Sequence, residues 1–196
     1  MEPRFPPPIR PARPDDLEEL LAMQLRSLRD LAGPCYDEDL LEAALAEMGT
    51  MDPRMIAQGA YLVAEEHGRI IGGAGWTMRQ PSYAALLREP LPDQDGRTGI
   101  IRSVHVDPPC YGRGVARALI RVAEAMLRHA GATRVETLVA LPCVPAYAAM
   151  GYGAVADHAL LLAGRMEFTL RRMGRDLPVM APSFAAAPDR PAAAPG

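Results

Sequence analysis

Leu17, Leu20, Leu21, Leu25 and Leu28 recur at helical spacing. They predict an amphipathic helix opening at Asp15, with Glu18 three residues on as in a capping box. DEDLLEAALAEM, residues 37–48, repeats the pattern and stops at Gly49. Asp52-Pro53 opens a short third helix that ends near Gly59, with proline at a tolerated first position. The period then changes. AYLVAEEHGRIIGGAGWTM reads as two strands about a turn at His67-Gly68. Gly72, Gly73 and Gly75 weaken the second strand and point to a bulge or a close neighbour. A polar connection over residues 80–98 leads to a strand at 99–106. Unbroken alternation there places Ser103, His105 and Asp107 on one face and Arg102 and Val104 on the other. A helix follows over Val115–Ala130, with Val115, Leu119, Val122 and Met126 as its apolar stripe. Its Arg117, Arg121, Glu124 and Arg128 face outward, Glu124 and Arg128 as an i,i+4 pair. The strand TRVETLVAL, the short helical segment PCVPAYAAMGY and the strand material HALLLAGRMEFTLRRM, turning at Gly164, complete the pattern. The order α-α-β-β-β-α-β-α-β(-β) is that of a mixed α/β domain.

Composition trims this picture at both ends. Residues 1–8 are proline-rich and residues 174–196 are rich in Pro and Ala, so both read as disordered tails around one domain at 9–173. The first residues lack the apolar core of a secretory signal, and no apolar run is long enough to span a membrane. A net charge of -3 makes nucleic acid or an anionic membrane a poor expectation for a partner. Three scattered cysteines, Cys35, Cys110 and Cys143, give neither a disulfide framework nor a metal site, and a cytoplasmic location is expected. The chain has no lysine: all 21 basic residues are arginine. Every mechanism that needs a lysine is thereby excluded.

The candidate chemistry sits in DPPCYGRGVARAL, residues 107–119, between a strand and a helix. Successive N–H groups in a tight turn converge on an anion, and the helix that follows adds free N–H groups and its positive dipole end. A Walker loop needs a lysine that is absent. A dinucleotide fingerprint needs a third glycine where Arg117 stands. Two readings remain open on the loop alone: a coenzyme A pyrophosphate cradle, and an ordinary strand-to-helix turn that holds glycines.

VHVDPPCYGRGVARALI resembles the acetyl-CoA motif of the GNAT N-acetyltransferase superfamily, Arg/Gln-x-x-Gly-x-Gly/Ala, here Tyr111-Gly112-Arg113-Gly114-Val115-Ala116. Gly114 and Ala116 match, and Tyr111 stands where Arg or Gln is usual. LPCVPAYAAMGY resembles a second segment of that family, with Tyr147 at its tyrosine, Gly151-Tyr152 at its Gly-aromatic pair and Ala146 in place of a Phe. The resemblance implies a GNAT fold, a mixed central sheet with splayed fourth and fifth strands flanked by helices. It implies acetyl-CoA as co-substrate without a metal, and a primary amine of a small molecule or protein as acceptor. Amides of Val104, His105 and Val106 would hold the pantetheine arm. Tyr111, Gly112, Arg113, Gly114, Val115, Ala116 and Arg117 would form the cradle, with Arg113 or Arg117 giving positive charge, and Cys143 would border the coenzyme. Tyr147 would be the general acid.

The base is open. Many relatives carry a glutamate where Ile100 stands here. His105 is a candidate, as are Glu65 and Glu66, although a strand histidine is often only packed. A Cys143 nucleophile is disfavoured because no histidine neighbour is evident. Trp76 and Met78 either line an acceptor pocket or pack in the core. The resemblance also leaves room for a non-catalytic acetyl-CoA-binding sensor, and for a homodimer through residues 159–170.

Overall fold

Tyr61, Leu62, Val63 and Ala64 are buried in succession on strand β2 (Tyr61–Glu66), so this strand is covered on both faces. The computed structural model describes residues 7–92 and 95–178. Its sheet has seven strands: β1 (Ile9–Pro11), β2, β3 (Arg69–Thr77), β4 (Thr98–Val106), β5 (Arg134–Ala140), β6 (Gly153–Leu162) and β7 (Met166–Asp176). The order is β1-β2-β3-β4-β5-β7-β6, antiparallel throughout except for the parallel pair β4–β5. Helix α4 (Val115–His129) makes the crossover between that pair.

Helices α1 (Leu17–Ala32), α2 (Glu38–Met48) and α3 (Arg54–Ala57) cover one face, and α4 with the short α5 (Val144–Ala148) covers the other. Leu62, Ala64, Ile101 and Val135 pack with Leu119, Ala123 and Leu127 of α4. Tyr61, Val63 and Ile70 pack with Leu20, Met23, Met55 and Ile56 on the opposite face. A third apolar cluster joins Leu41 and Ala44 of α2 to Leu160, Leu162, Phe168 and Leu170 of β6 and β7.

Four local expectations change. The first helix is preceded by a 3-10 turn at Pro14–Asp16, and Asp16 rather than Glu18 accepts the free N–H of Arg13 at 2.6 Å. Arg10 forks onto the same Asp16 at 2.7 and 3.0 Å, which ties β1 to the helix start and lowers the Asp16 pKa. Strand β1, three residues between prolines, carries too little pattern to be read from sequence. Glu124 does not face solvent: it is 3 % exposed and accepts from Tyr152 at 2.7 Å and Arg175 at 2.6 Å. The ordered chain also passes residue 173. Strand β7 runs to Asp176, and Leu177 is buried with its N–H on the Thr133 carbonyl at 2.8 Å. Residues 1–6 and 179–196, the bulk of the expected tails, lie outside the described residues. At the β6 edge, Leu87 bridges Leu160 and the Arg88 N–H reaches the Ala159 carbonyl at 2.9 Å.

Candidate active site

The site begins with a bulge in β4. Gly75 pairs with Arg102 and Gly73 with His105, so one residue of β3, Ala74, faces two of β4, Ser103 and Val104. Ser103, at φ +50°, is a non-glycine residue in the left-handed region and marks the extra residue. The bulge breaks the alternation expected from sequence: Arg102 and His105 come to the same face.

The glycines of β3 explain how the bulge is held. A Cβ at Gly73 would meet Tyr61 Cε1 at 2.7 Å and its hydroxyl at 2.9 Å, and one at Gly75 would meet Tyr61 Cδ2 at 3.1 Å. The Tyr61 ring therefore lies across β3, from Gly75 to Gly73, in the space those side chains would fill. Its hydroxyl donates to the Ser103 carbonyl at 2.7 Å. Gln24 of α1 donates to that hydroxyl at 2.6 Å, and the Thr50 hydroxyl donates to the Gln24 carbonyl oxygen. Tyr61 and Gln24 are fully buried. The weakness noted in GGAG is thus the close neighbour that sequence suggested, but its identity depends on a tyrosine from another strand.

Strand β5 pairs with β4 only at Thr98, Gly99 and Ile100. Beyond Ile100 the two parallel strands part, as the splayed arrangement requires, and the facing edge of β4 has no partner strand among the described residues. A cleft opens in the gap, lined by Val104 and His105 of β4, Thr137 and Val139 of β5, and Cys143 and Tyr147. Tyr147 is 6 % exposed, and burial pushes its phenol above the ordinary value, partly countered by a hydrogen bond with Thr137. The Tyr152 ring meets it edge-on, centroids 5.4 Å apart, while its own hydroxyl is anchored on buried Glu124. The Gly151-Tyr152 pair therefore fixes the Tyr147 ring from behind.

Burial pushes His105 down to about 4, against a hydrogen bond with the Thr50 main chain that favours its charged form. His105 is therefore neutral at pH 7. Burial also pushes the Cys143 thiol up, away from the thiolate a nucleophile requires. Val106 pairs with Gly72 and is buried against the α4 side of the core rather than lining the cleft.

At the mouth of the gap, Gly112 at φ +71° and Gly114 at φ +83° turn the chain into α4. No heavy atom lies within 4 Å of a Cβ built on either, so conformation rather than space demands glycine. The N–H groups of Gly112, Gly114, Val115, Ala116 and Arg117 meet no main-chain acceptor among the described residues. This donor set fits a pyrophosphate. Tyr111 does not point into the cradle: its hydroxyl reaches back to Ser27 of α1, 3.3 Å from the carbonyl and 3.4 Å from Oγ. Arg113 pairs with Glu66 and donates to Cys110 Sγ at 3.2 Å, so its charge is already engaged. Arg117 is exposed and has no ion pair among the described residues, which makes it the available cation. Gly114→Ala is expected to cost about 1–2 kcal/mol, the strain of a left-handed L-residue, and to shrink the rise in melting temperature caused by acetyl-CoA. Thermal melts with and without the ligand check both.

Several sequence candidates fall outside the cleft. Glu65 pairs with Arg10 and Glu66 with Arg113, so neither lines the gap as a base. Trp76 and Met78 pack against the core. Asp107 is buried and holds Arg26 of α1 at 2.9 Å. Sequence reasoning missed Tyr61, Gln24 and Thr50, and only the glycine run hinted at them. No group of three or more metal-ligating side chains occurs among the described residues, and no described helix is long and apolar enough to cross a membrane.

A parallel pair that opens past a glycine turn, with a buried tyrosine in the opening, defines the class: an acyl-CoA N-acyltransferase. The acetyltransferase (GNAT) family model matches residues 25–152, more than half of the chain, and the chain belongs to that family. A GCN5-related N-acetyltransferase from Rhodopseudomonas palustris superposes with a TM-score of 0.68 at 21% identity, over 90% of this chain and 99% of that one. The PaiA N-acetyltransferase from Thermoplasma acidophilum, in complex with coenzyme A, gives a TM-score of 0.66 at 14% identity, over 88% of this chain and 100% of that one. YncA from Salmonella typhimurium, with acetyl-CoA, gives 0.58 at 19% identity, over 94% and 99%. No curated protein sequence matches the chain.

Proposed function

We propose that the chain transfers the acetyl group of acetyl-CoA directly to a primary amine in the gap between β4 and β5. One observation carries this reading: Tyr147 of α5 lines the same cleft as Val104 and His105 on the unpaired edge of β4. The cradle of Gly112, Gly114, Val115, Ala116 and Arg117 would hold the pyrophosphate. Main-chain groups at Val104 to Val106, on the β4 edge that β5 leaves unpaired, would hold the pantetheine arm and polarise the carbonyl. The neutral amine attacks the thioester carbon and the C–S bond breaks. The sulfur takes its proton from the Tyr147 hydroxyl. Burial keeps the phenol protonated and so able to donate as the thiolate forms. The proton shed by the amine leaves through neutral His105 or water and restores the phenol.

The test mixes purified protein, acetyl-CoA and a panel of amines and follows free thiol. Thiol released above background supports transfer. No release from any amine, while acetyl-CoA still raises the melting temperature, favours the non-catalytic acetyl-CoA-binding sensor instead.

A pH profile follows from the two shifts. His105, pushed down to about 4, and Tyr147, pushed above its ordinary value, both keep their charge state between about pH 5 and 9. The value of kcat/KM should rise with pH along the ionisation of the acceptor amine alone, since only its neutral form attacks. Wild type and His105→Gln should show the same inflection. A wild-type inflection near pH 6.5 that the variant lacks would contradict the assignment.

A further inference from the structure

We propose that the acceptor is a free amino acid with an apolar side chain, and that Arg102 binds its carboxylate. The inference rests on the acetyl-transfer reading above and names the substrate of the same cleft. Arg102 is the single charged side chain among the described residues that line the cleft, and no Asp or Glu is among them. Its guanidinium lies 4.8 Å from the centroid of the Tyr83 ring. It makes no hydrogen bond or ion pair among the described residues, and its Nε is buried without a partner. The nearby Asp52 feels the charge of Arg102, but its carboxylate is held by Arg54 through Nε at 3.0 Å and NH2 at 2.7 Å. Buried donors of native proteins are nearly always satisfied, so an orphaned guanidinium N–H inside a cleft points to an anionic ligand. A planar guanidinium suits a carboxylate bidentately.

The bulge gives this charge its position. Because Gly73 and Gly75 pair with His105 and Arg102, those two side chains share one face. The anion holder and the neutral imidazole of the cleft therefore sit on the same side of the strand. An α-amino acid places its amine two bonds from its carboxylate carbon, a spacing suited to that arrangement. The remaining wall, from Leu28, Leu31, Met48, Leu160, Phe168 and Leu170, is apolar and matches an apolar side chain. A fixed positive charge also disfavours a bound ammonium and favours the neutral amine that attacks. Polyamines and other polycations would meet a cation with no acid to offset it.

The experiment follows thiol release from acetyl-CoA with L-leucine, L-methionine and L-phenylalanine, with their amides, with spermidine and with a lysine-containing peptide. The acids are expected to exceed their amides by about 10²-fold in kcat/KM, the scale of a lost buried charge pair. Arg102→Gln should remove that preference, mainly by raising KM for the acids. An undiminished acetyl-CoA melting shift shows that the variant is folded. Turnover of spermidine, the peptide or the amides at or above that of the acids overturns the inference while leaving acetyl transfer standing. So does an acid preference that survives Arg102→Gln. Absence of thiol release with every amine overturns the acetyl-transfer reading, and this inference with it.

Discussion

Tyr147→Phe should lower kcat by about 10²-fold or more, the usual worth of a positioned general acid, and leave the KM for acetyl-CoA nearly unchanged. The substitution removes one oxygen and keeps the ring that Tyr152 braces edge-on at 5.4 Å. Packing is conserved, so the melting temperature should move little, with only the hydrogen bond to Thr137 given up. Steady-state kinetics on the best amine of the panel provide the test. An unchanged kcat would mean that the thiolate is protonated by another group, and the role of Tyr147 would reduce to packing. Cys143, another titratable side chain beside it, does not replace the phenol readily, because burial holds its thiol protonated.

Gly73→Ala should destabilise the protein by about 1–3 kcal/mol, the range of overpacked cores, and depress kcat as well. The sign is the informative part. Replacing a strand-interior glycine by alanine ordinarily stabilises by roughly 0.5–1 kcal/mol, because glycine loses more conformational freedom on folding. Here the new methyl carbon would stand 2.7 Å from Tyr61 Cε1 and 3.2 Å from a Leu20 methyl. The ring has to move, and with it the hydroxyl that holds the Ser103 carbonyl at 2.7 Å. Tyr61→Phe separates the two effects: it keeps the ring and deletes the clamp. That variant should lose about 1–3 kcal/mol through the unsatisfied Ser103 and Gln24 groups, with a fall in kcat. Melting curves and kinetics of both variants decide the matter. A stabilised Gly73→Ala protein would show that the ring does not occupy that groove.

Much of the fold was legible because it rests on local periodicity. Leu17 to Leu28 and Val115 to Met126 announce α1 and α4 at helical spacing, and GYG-type punctuation marks the turns. The glycine turn before α4 was equally legible. Left-handed backbone at Gly112 and Gly114 is a property of the residues themselves, and the helix that follows is patterned in sequence. Tyr147 was singled out through a motif, and it is buried among the residues that line the cleft.

What failed was whatever depended on a partner far along the chain. Glu124 reads as a solvent-facing member of an i,i+4 pair, yet Tyr152 and Arg175 draw it inward with two hydrogen bonds. Arg113 reads as a free cation until Glu66 of the hairpin reaches it. Tyr111 reads as part of the glycine turn, yet its hydroxyl reaches back to Ser27 of α1. Alternation along 98–106 placed Arg102 and His105 on opposite faces, because a one-residue bulge is invisible to a period-two rule.

The sequence by itself determined the class of fold, the glycine turn before α4 and the tyrosine of the second motif, since each follows from backbone preference or short spacing. Only the tertiary structure decided where β4 parts from β5, which residues share the bulged face, and that Arg102 stands in the cleft without an acid to pair with. Those are outcomes of long-range packing. Tyr61 must cross two glycines of a neighbouring strand before Ser103 can hold its left-handed turn, and no local pattern encodes that crossing.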